Sequence, residues 1–294
     1  SINDIDDLVA LIINNLITGN REAGIYLNNG AMTNRFNAYF GNPSHIVNGM
    51  GSNLTLDVTE DIFDPRYASL VNQEEDFHLR SKNGRPGPAG MQFDVEFSPA
   101  IDAGDPNMPV DERKPNGGRV DLGCFGNTRD SSGSPTITIR APHGEPYPPA
   151  GISDSALGSL IDGIGMSNSI VTDGSTQYVC QGWSAVGPPP SSGTTTGIPP
   201  FTLGDNTEIN WLWQTNYQVT VNSADDTQGS VAFSNGFYPA GTNLTITAVA
   251  SNGYSFSNWA GTLVTNDNPF SFTVDQPYSL TANFSLNTHT LNVS

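Results

Sequence analysis

The chain has 294 residues, a hydrophobic share of 36%, 31 Gly and 21 Pro, and a formal net charge of −18 from 11 Lys and Arg against 29 Asp and Glu. That length allows two or three compact domains, and the composition suits short strands joined by many turns rather than helical bundles. No apolar run reaches the roughly 18 residues that a spanning helix needs. All Lys and Arg lie at or before Arg140, and residues 141–294 hold none against ten acidic residues. Phosphate neutralisation needs clustered cations, so this balance argues against nucleic acid as a partner. A Lys-free, acidic surface stays soluble by self-repulsion and offers no site to trypsin-like proteases, which fits extracellular exposure.

In chain order, residues 1–80 alternate short apolar runs with Asn and Gly, as in Leu11-Ile-Ile13-Asn-Asn15-Leu-Ile17-Thr-Gly19-Asn20 followed by Gly24-Ile-Tyr-Leu27-Asn-Asn29-Gly30. This rhythm predicts stacked coils of about 20–25 residues, with inward Asn side chains at the turns forming ladders from coil to coil. A competing reading is an amphipathic helix over residues 4–18, started by Asp4, Asp6 and Asp7. The double Asn and the β-branched Ile residues argue against it. Ser1 opens directly into patterned sequence, which is expected of a start within a longer chain.

From Asp61 the motifs become more specific: Ile62-Phe63-Asp64-Pro65-Arg66-Tyr67, then Asp76-Phe77-His78-Leu79-Arg80-Ser81, then Ser98-Pro99-Ala100-Ile101-Asp102-Ala103-Gly104-Asp105-Pro106. The run closes with Gly117-Gly118-Arg119-Val120-Asp121-Leu122-Gly123-Cys124-Phe125-Gly126-Asn127. Residues 10–130 resemble the C-terminal end of bacterial secreted right-handed parallel β-helix repeat proteins, with Cys124 standing where such proteins more often carry Ala. A Pro- and Gly-rich charged run such as 102–119 makes a reasonable cover for an open coil edge.

Residues 130–135 read as a short linker by composition. Beyond them one pattern occurs twice. Ile137-Thr-Ile139, Pro149-Ala-Gly151, Tyr178-Val-Cys180-Gln-Gly-Trp183, Phe201-Thr-Leu203 and Ile209-Asn-Trp211-Leu-Trp213 are answered by Val219-Thr-Val221, Pro239-Ala-Gly241, Tyr254-Ser-Phe256-Ser-Asn-Trp259, Phe272-Thr-Val274 and Leu280-Thr-Ala282-Asn-Phe284. Leu291-Asn-Val293 repeats the opening strand once more. Self-similarity of this kind marks an array of modules. Residues 135–285 resemble divergent InlB B-repeat modules of bacterial surface proteins, with a longer Pro188–Gly197 loop and an expanded 152–176 region in the first copy. The resemblance implies small β-rich domains, sandwich-like or β-grasp-like, that serve spacing and adhesion without catalytic residues.

Candidate chemistry divides into four groups. Trp183, Trp211, Trp213 and Trp259 suggest a sugar-stacking platform, but Ile209, Trp211 and Trp213 alternate at period two and are expected in a core. Asp102, Asp105, Asp111, Glu112 and Asp121 crowd a loop-rich stretch; Asp102, Asp105, Asp111 and Asp121 are the candidates for a structural Ca²⁺, although no EF-hand spacing occurs and turn-forming Asp explains them equally well. Asp57, Glu60, Asp61 and Asp64 with Arg80, Lys82 and Arg85 would form a lyase-like remnant only if they converged on one face. His45, His78, His143 and His289 show neither ligand spacing nor a nucleophile partner, and Cys124 and Cys180 fit two buried free thiols better than a disulfide.

The sequence therefore predicts an all-β chain: terminal coils and cap of a right-handed parallel β-helix over 1–130, two related β-domains over 131–215 and 216–285, and at 286–294 the first strand of a third repeat or an inter-subunit strand. The expected role is a non-catalytic structural or adhesive segment of a secreted, cell-surface protein, with no cofactor and no membrane span. Its expected partners are other copies of itself, assembling head-to-tail by strand addition, or the rest of a longer chain; surface polysaccharide or another cell surface are further candidates. The alternative is the C-terminal fragment of a β-helix polysaccharide lyase or glycosidase with its catalytic coils upstream, and a lectin-like module would require exposed tryptophans.

Overall fold

The computed structural model describes residues 9–20, 25–27, 31–44, 46–48, 61–70 and 75–288, and contains strands without any helix among them. In the first region, β1 (Val9–Ile13), β2 (Leu16–Thr18) and β3 (Ile25–Leu27) pair in parallel with β4 (Ala31–Arg35), β5 (Ala38–Phe40) and β6 (Ile46–Asn48). β5 pairs in parallel with β7 (Asp61–Ile62). Val9 faces Ala31, Leu16 faces Ala38 and Ile25 faces Ile46, so each strand lies one sequence period of about 22 residues from its neighbour. Where a helix over residues 4–18 would run, the chain forms β1 and β2, and Asp4, Asp6 and Asp7 lie outside the described residues.

Asn side chains hold the rungs together. Asn15 Nδ2 donates to Asn37 Oδ1 at 3.0 Å, and Asn20 Nδ2 donates to Asn42 Oδ1 at 2.9 Å. The backbone amides of Asn15 and Asn20 donate to the same two oxygens, at 2.8 and 2.9 Å. Asn37 in turn donates to Ile12 O at 2.8 Å, which satisfies a backbone carbonyl at the turn. The left-handed turn residues keep the same period, with Asn14 above Phe36 and Gly19 above Gly41.

β8 (Tyr67–Ser69) and β9 (Asp76–Leu79) form an antiparallel pair, and residues 80–135 fold as irregular chain against them and the coils. Leu79, Phe97, Ala100, Ile101 and Leu122 make a core here, with Ala38 from β5 and Leu16 packed on it. The amide of Gly123 donates to Asn14 O and that of Asp105 to Asn14 Oδ1, so the irregular segment is tied directly to a coil turn.

Of residues 130–135, expected as a linker, Asp130 is exposed but 131–135 are buried throughout. Their hydroxyls explain why. Ser132 Oγ donates to Leu79 O at 2.6 Å, Ser134 Oγ to Asp102 Oδ1 at 2.9 Å, and the Gly133 amide to Gly84 O at 2.8 Å. Small polar residues read as a loop by composition, yet here they satisfy backbone and side-chain groups of the preceding segment.

The first module contains β10 (Thr136–Arg140), β11 (Pro146–Tyr147), β12 (Gly151–Asp154), β13 (Leu160–Ile161), β14 (Gly165–Met166), β15 (Ile170–Asp173), β16 (Thr176–Val186), β17 (Ser192–Gly193), β18 (Phe201–Thr202) and β19 (Thr207–Ser223). The second continues with β20 (Gly229–Val231), β21 (Gly236–Pro239), β22 (Asn243–Ile246), β23 (Ala248–Ala250), β24 (Tyr254–Gly261), β25 (Phe270–Thr273) and β26 (Tyr278–Leu286). The principal pairings repeat from one module to the next, while β15–β16 and β16–β17 occur in the first alone. β10 lies parallel to β19, as β19 lies parallel to β26. β12 runs antiparallel to β10, as β21 does to β19; β16 runs antiparallel to β19, as β24 does to β26. The short pairs β11–β14 and β13–β18 correspond to β20–β23 and β22–β25.

Candidate functional site

β19 closes the first module and opens the second, so the boundary drawn at 215/216 falls inside a single strand of 17 residues. At ~3.3 Å per residue such a strand is roughly 50 Å long. Ile209, Trp211, Val219 and Val221 are all buried, and all occupy odd positions, so one strand face feeds both cores. The crossing itself is paired on both edges: Asn216 faces Gln177 of β16 on one side and Pro239 of β21 on the other. Gln218 donates its amide to Ser175 O at 2.9 Å, and Ala240 donates to Thr215 O at 2.9 Å. No unpaired hinge residue interrupts β19 between its two modules.

The tryptophans serve these cores. Trp183, Trp211 and Trp259 are 1%, 3% and 0% exposed, and Trp213 packs partly buried against the core of the first two, so none of the first three offers a sugar-stacking face. The exposed-tryptophan requirement of a lectin-like module is therefore unmet at these positions.

The joint between the irregular 80–135 segment and the first module is built on carboxylates. Asp102 accepts from Ser134 Oγ on Oδ1 and from the Leu157 amide on Oδ2, both at 2.9 Å. Asp121 Oδ1 accepts from the Asp102 amide, and Glu112 Oε1 accepts from the amides of Asp121 and Asn127. Asp121 Oδ2 and Glu112 Oε2 are buried without a hydrogen-bond partner. Burial pushes Asp102 up to about 7, against the lowering effect of its two hydrogen bonds. Burial also raises Glu112, and it raises Asp121 well above the ordinary range, helped by the charges of Glu112 and Asp102.

The four Ca²⁺ candidates do not converge. Asp102 and Asp121 meet, but Asp105 turns to Arg35 at 3.3 Å and to the Asn107 amide, while Asp111 is exposed. Among the described residues no group of three or more His, Cys, Asp or Glu is placed to hold a metal ion. Further contacts complete the joint: Lys82 pairs with Asp205, Asn83 and Asn206 exchange side-chain amide bonds at 2.8 Å, and Asp154 accepts from the amides of Asn116 and Gly117.

The charges suggested as a lyase remnant are dispersed among structural pairs. Asp64 accepts from the Arg66 amide, Arg80 pairs with Glu96, and Arg85 pairs with Asp76 and Asp94. Asp57 and Glu60 lie outside the described residues, as do His45, His289 and the Leu291–Val293 run; the side chain of Asp61 does too. His143 stacks on Tyr178 with centroids 3.6 Å apart. His78 does have a partner: its Nδ1 lies 2.6 Å from Asp76 Oδ1, and its ring stacks on Phe125 at 3.7 Å. The i, i+2 spacing of Asp76 and His78 on one strand was the available signal. Burial works against the charge of Asp76, but hydrogen bonds from His78 and the charge of Arg85 outweigh it and hold the carboxyl below its usual range. Both cysteines are free, but Cys124 is exposed and Cys180 only half-buried, so neither is the fully buried thiol expected. A solvent-facing loop after Gly123 carries Cys124 outward.

Residues 217–288 match the divergent InlB B-repeat domain. That span is the second module, beginning within β19. Among solved structures, Streptococcal High Identity Repeats in Tandem (SHIRT) domains 3-4 from a cell surface protein align at 14% identity, over 52% of this chain and 99% of that chain, with a TM-score of 0.17. No curated protein matches the chain.

Proposed function

We propose that this chain is a non-catalytic, tension-bearing spacer segment of an extracellular, modular surface protein, in which the end of a parallel β-helix is joined stiffly to two B-repeat-type modules. The unbroken course of β19 through both modules supports it most. A spacer must transmit direction and load, and a strand hydrogen-bonded on both edges at the crossing does both. The match of residues 217–288 to a B-repeat domain, and the principal pairings that extend its pattern to the first module, support a surface repeat role. The 22-residue parallel offset and the two Asn ladders support the β-helix reading of the first region.

Each module also places its first and last strands side by side and parallel, β10 with β19 and β19 with β26. Tension applied along the chain then loads every hydrogen bond between them at once, in shear, rather than peeling them singly. Single-molecule pulling tests this. In the second module, force applied along the chain should meet higher resistance than force applied through Asp226 and Ser285, which lie just beyond one end of the β19–β26 pair. Equal unfolding forces in the two geometries would contradict a load-bearing role.

A further inference from the structure

Phe77 is 47% exposed beside the coils and lines two open clefts, of about 780 Å³ and about 530 Å³. Its ring is braced edge-on against Tyr67, with centroids 5.4 Å apart and planes at 87°. The larger cleft continues over the stacked rings of His78 and Phe125 and is rimmed by the carboxylates of Glu75 and Asp130. The smaller runs along β2, past Asn15, Thr18 and Asn20.

The polar groups presented there are chiefly acceptors. The side-chain amides of Asn15 and Asn20 donate to Asn37 and Asn42 on the adjacent strand turn, so the carbonyl oxygen of each remains as an acceptor. Glu75 and Asp130 add carboxylate oxygens. Among the described residues no Lys or Arg lines either cleft. A ligand for such a surface is long enough to cross Phe77 and rich in hydrogen-bond donors. It has an apolar face to lay on the ring, and it carries no negative charge. A pyranose chain meets all four requirements, because each sugar has one face of C–H groups and an edge of hydroxyls. Uronate and phosphate polymers fail on charge.

We propose that this flank is a binding site for an uncharged or amino-bearing polysaccharide. One sugar stacks on Phe77, and its neighbours donate hydroxyl or ammonium hydrogens to Glu75 and Asp130 in the larger cleft and to Asn15 and Asn20 in the smaller. The site is independent of the spacer role, which rests on β19 and would stand if no sugar bound.

The test is titration of the intact chain with chitohexaose, its deacetylated counterpart and cellohexaose, with a hexauronate and a proline-rich cationic peptide as competitors. At least one of the three hexasaccharides is expected to bind. Phe77→Ala should weaken that binding at least tenfold, while Phe77→Trp should retain it and report it through a change in indole fluorescence. The paired change Glu75→Gln with Asp130→Asn should weaken the deacetylated sugar more than the neutral ones. Thermal melting of each variant separates loss of the site from loss of fold, and the Trp variant reads the cleft even if the Ala variant is unstable. Absence of binding by all three sugars, unchanged binding by Phe77→Ala, or Phe77-dependent binding of the peptide or the uronate in their place would overturn the assignment.

Discussion

The two modules share every principal pairing, yet they treat their central tryptophan differently. Trp259 donates its indole N–H to Asp267 O at 3.2 Å, from the loop that follows β24. Trp183 is equally buried, but its Nε1 has no partner. The longer Pro-rich loop of the first module crosses over it instead, through β17, where a Cβ on Gly193 would lie 2.6 Å from the indole ring. Glycine is required for that close approach. What the repeat preserves is therefore the volume filled at the centre of each core, and the polar contact is dispensable. The first module also carries β15, an added strand on the outer edge of β16, where the second turns directly from β23 into β24.

If the shared volume is what matters, Trp183→Ala and Trp259→Ala should each cost about 3–5 kcal/mol, the range for emptying a large aromatic site. Hydrogen exchange should place the damage in the first module for one and in the second for the other. A loss below about 1 kcal/mol at either position would show that the two cores are not equivalent.

The crossing between modules comes next in size. Gln218 is exposed, so replacing it with Pro removes little packing, but it deletes the amide that donates to Ser175 and places a proline inside a paired strand. About 1–3 kcal/mol of coupling should be lost, the range for a ladder acceptor left unpaired. Calorimetry should then show the modules melting separately where the parent melts them together. Two separate transitions already present in the parent would mean that β19 does not couple them.

The joint on the other side of the first module differs in kind, because it contains carboxyl groups whose affinity for protons is higher folded than unfolded. With Asp102 raised to about 7, its contribution is fully present below the unfolded value near 4 and is lost as pH rises through about 7. Between pH 5.5 and pH 8 this one group should cost about 2 kcal/mol of stability. Asp102→Asn keeps an acceptor for Leu157 and turns an amide toward Ser134, whose hydroxyl can accept, so it should flatten part of that slope in pH-dependent melts. An unchanged slope would remove Asp102 from the explanation. The module crossing, which holds no such cluster, should show no matching dependence.

The smallest difference is the indole hydrogen bond itself. Trp259→Phe should cost about 1 kcal/mol more than Trp183→Phe, since only the first leaves a carbonyl without its donor. Chemical denaturation of the two variants side by side checks it.

Local pattern carried much of this into the sequence. Period two along Ile209, Trp211 and Trp213 announced a buried strand face, and the Asn15 and Asn20 positions announced the rungs. Less visible was anything decided by partners distant in the chain. Asp105 looked like a ligand, yet it pairs with Arg35 at 3.3 Å, and the 130–135 segment, buried from Ser131 on, looked like a linker because its composition is that of a turn. Its burial depends on Leu79, Gly84 and Asp102, which no local pattern connects to it. The continuity of β19 was hidden for a related reason: a repeat boundary marks where a pattern restarts, and a strand can pass through it without any break in alternation.

Stiffness across that boundary is the most direct test of the whole account. With Cys124 and Cys180 replaced by Ser, spin labels at Thr202→Cys in the first module and Ser285→Cys in the second report the distance between the modules by pulsed electron resonance. A single narrow distance distribution, unchanged when Asp102 is also replaced, is the predicted result. A broad or two-peaked distribution would show that the modules swing freely, and that the shared strand does not make them one rod.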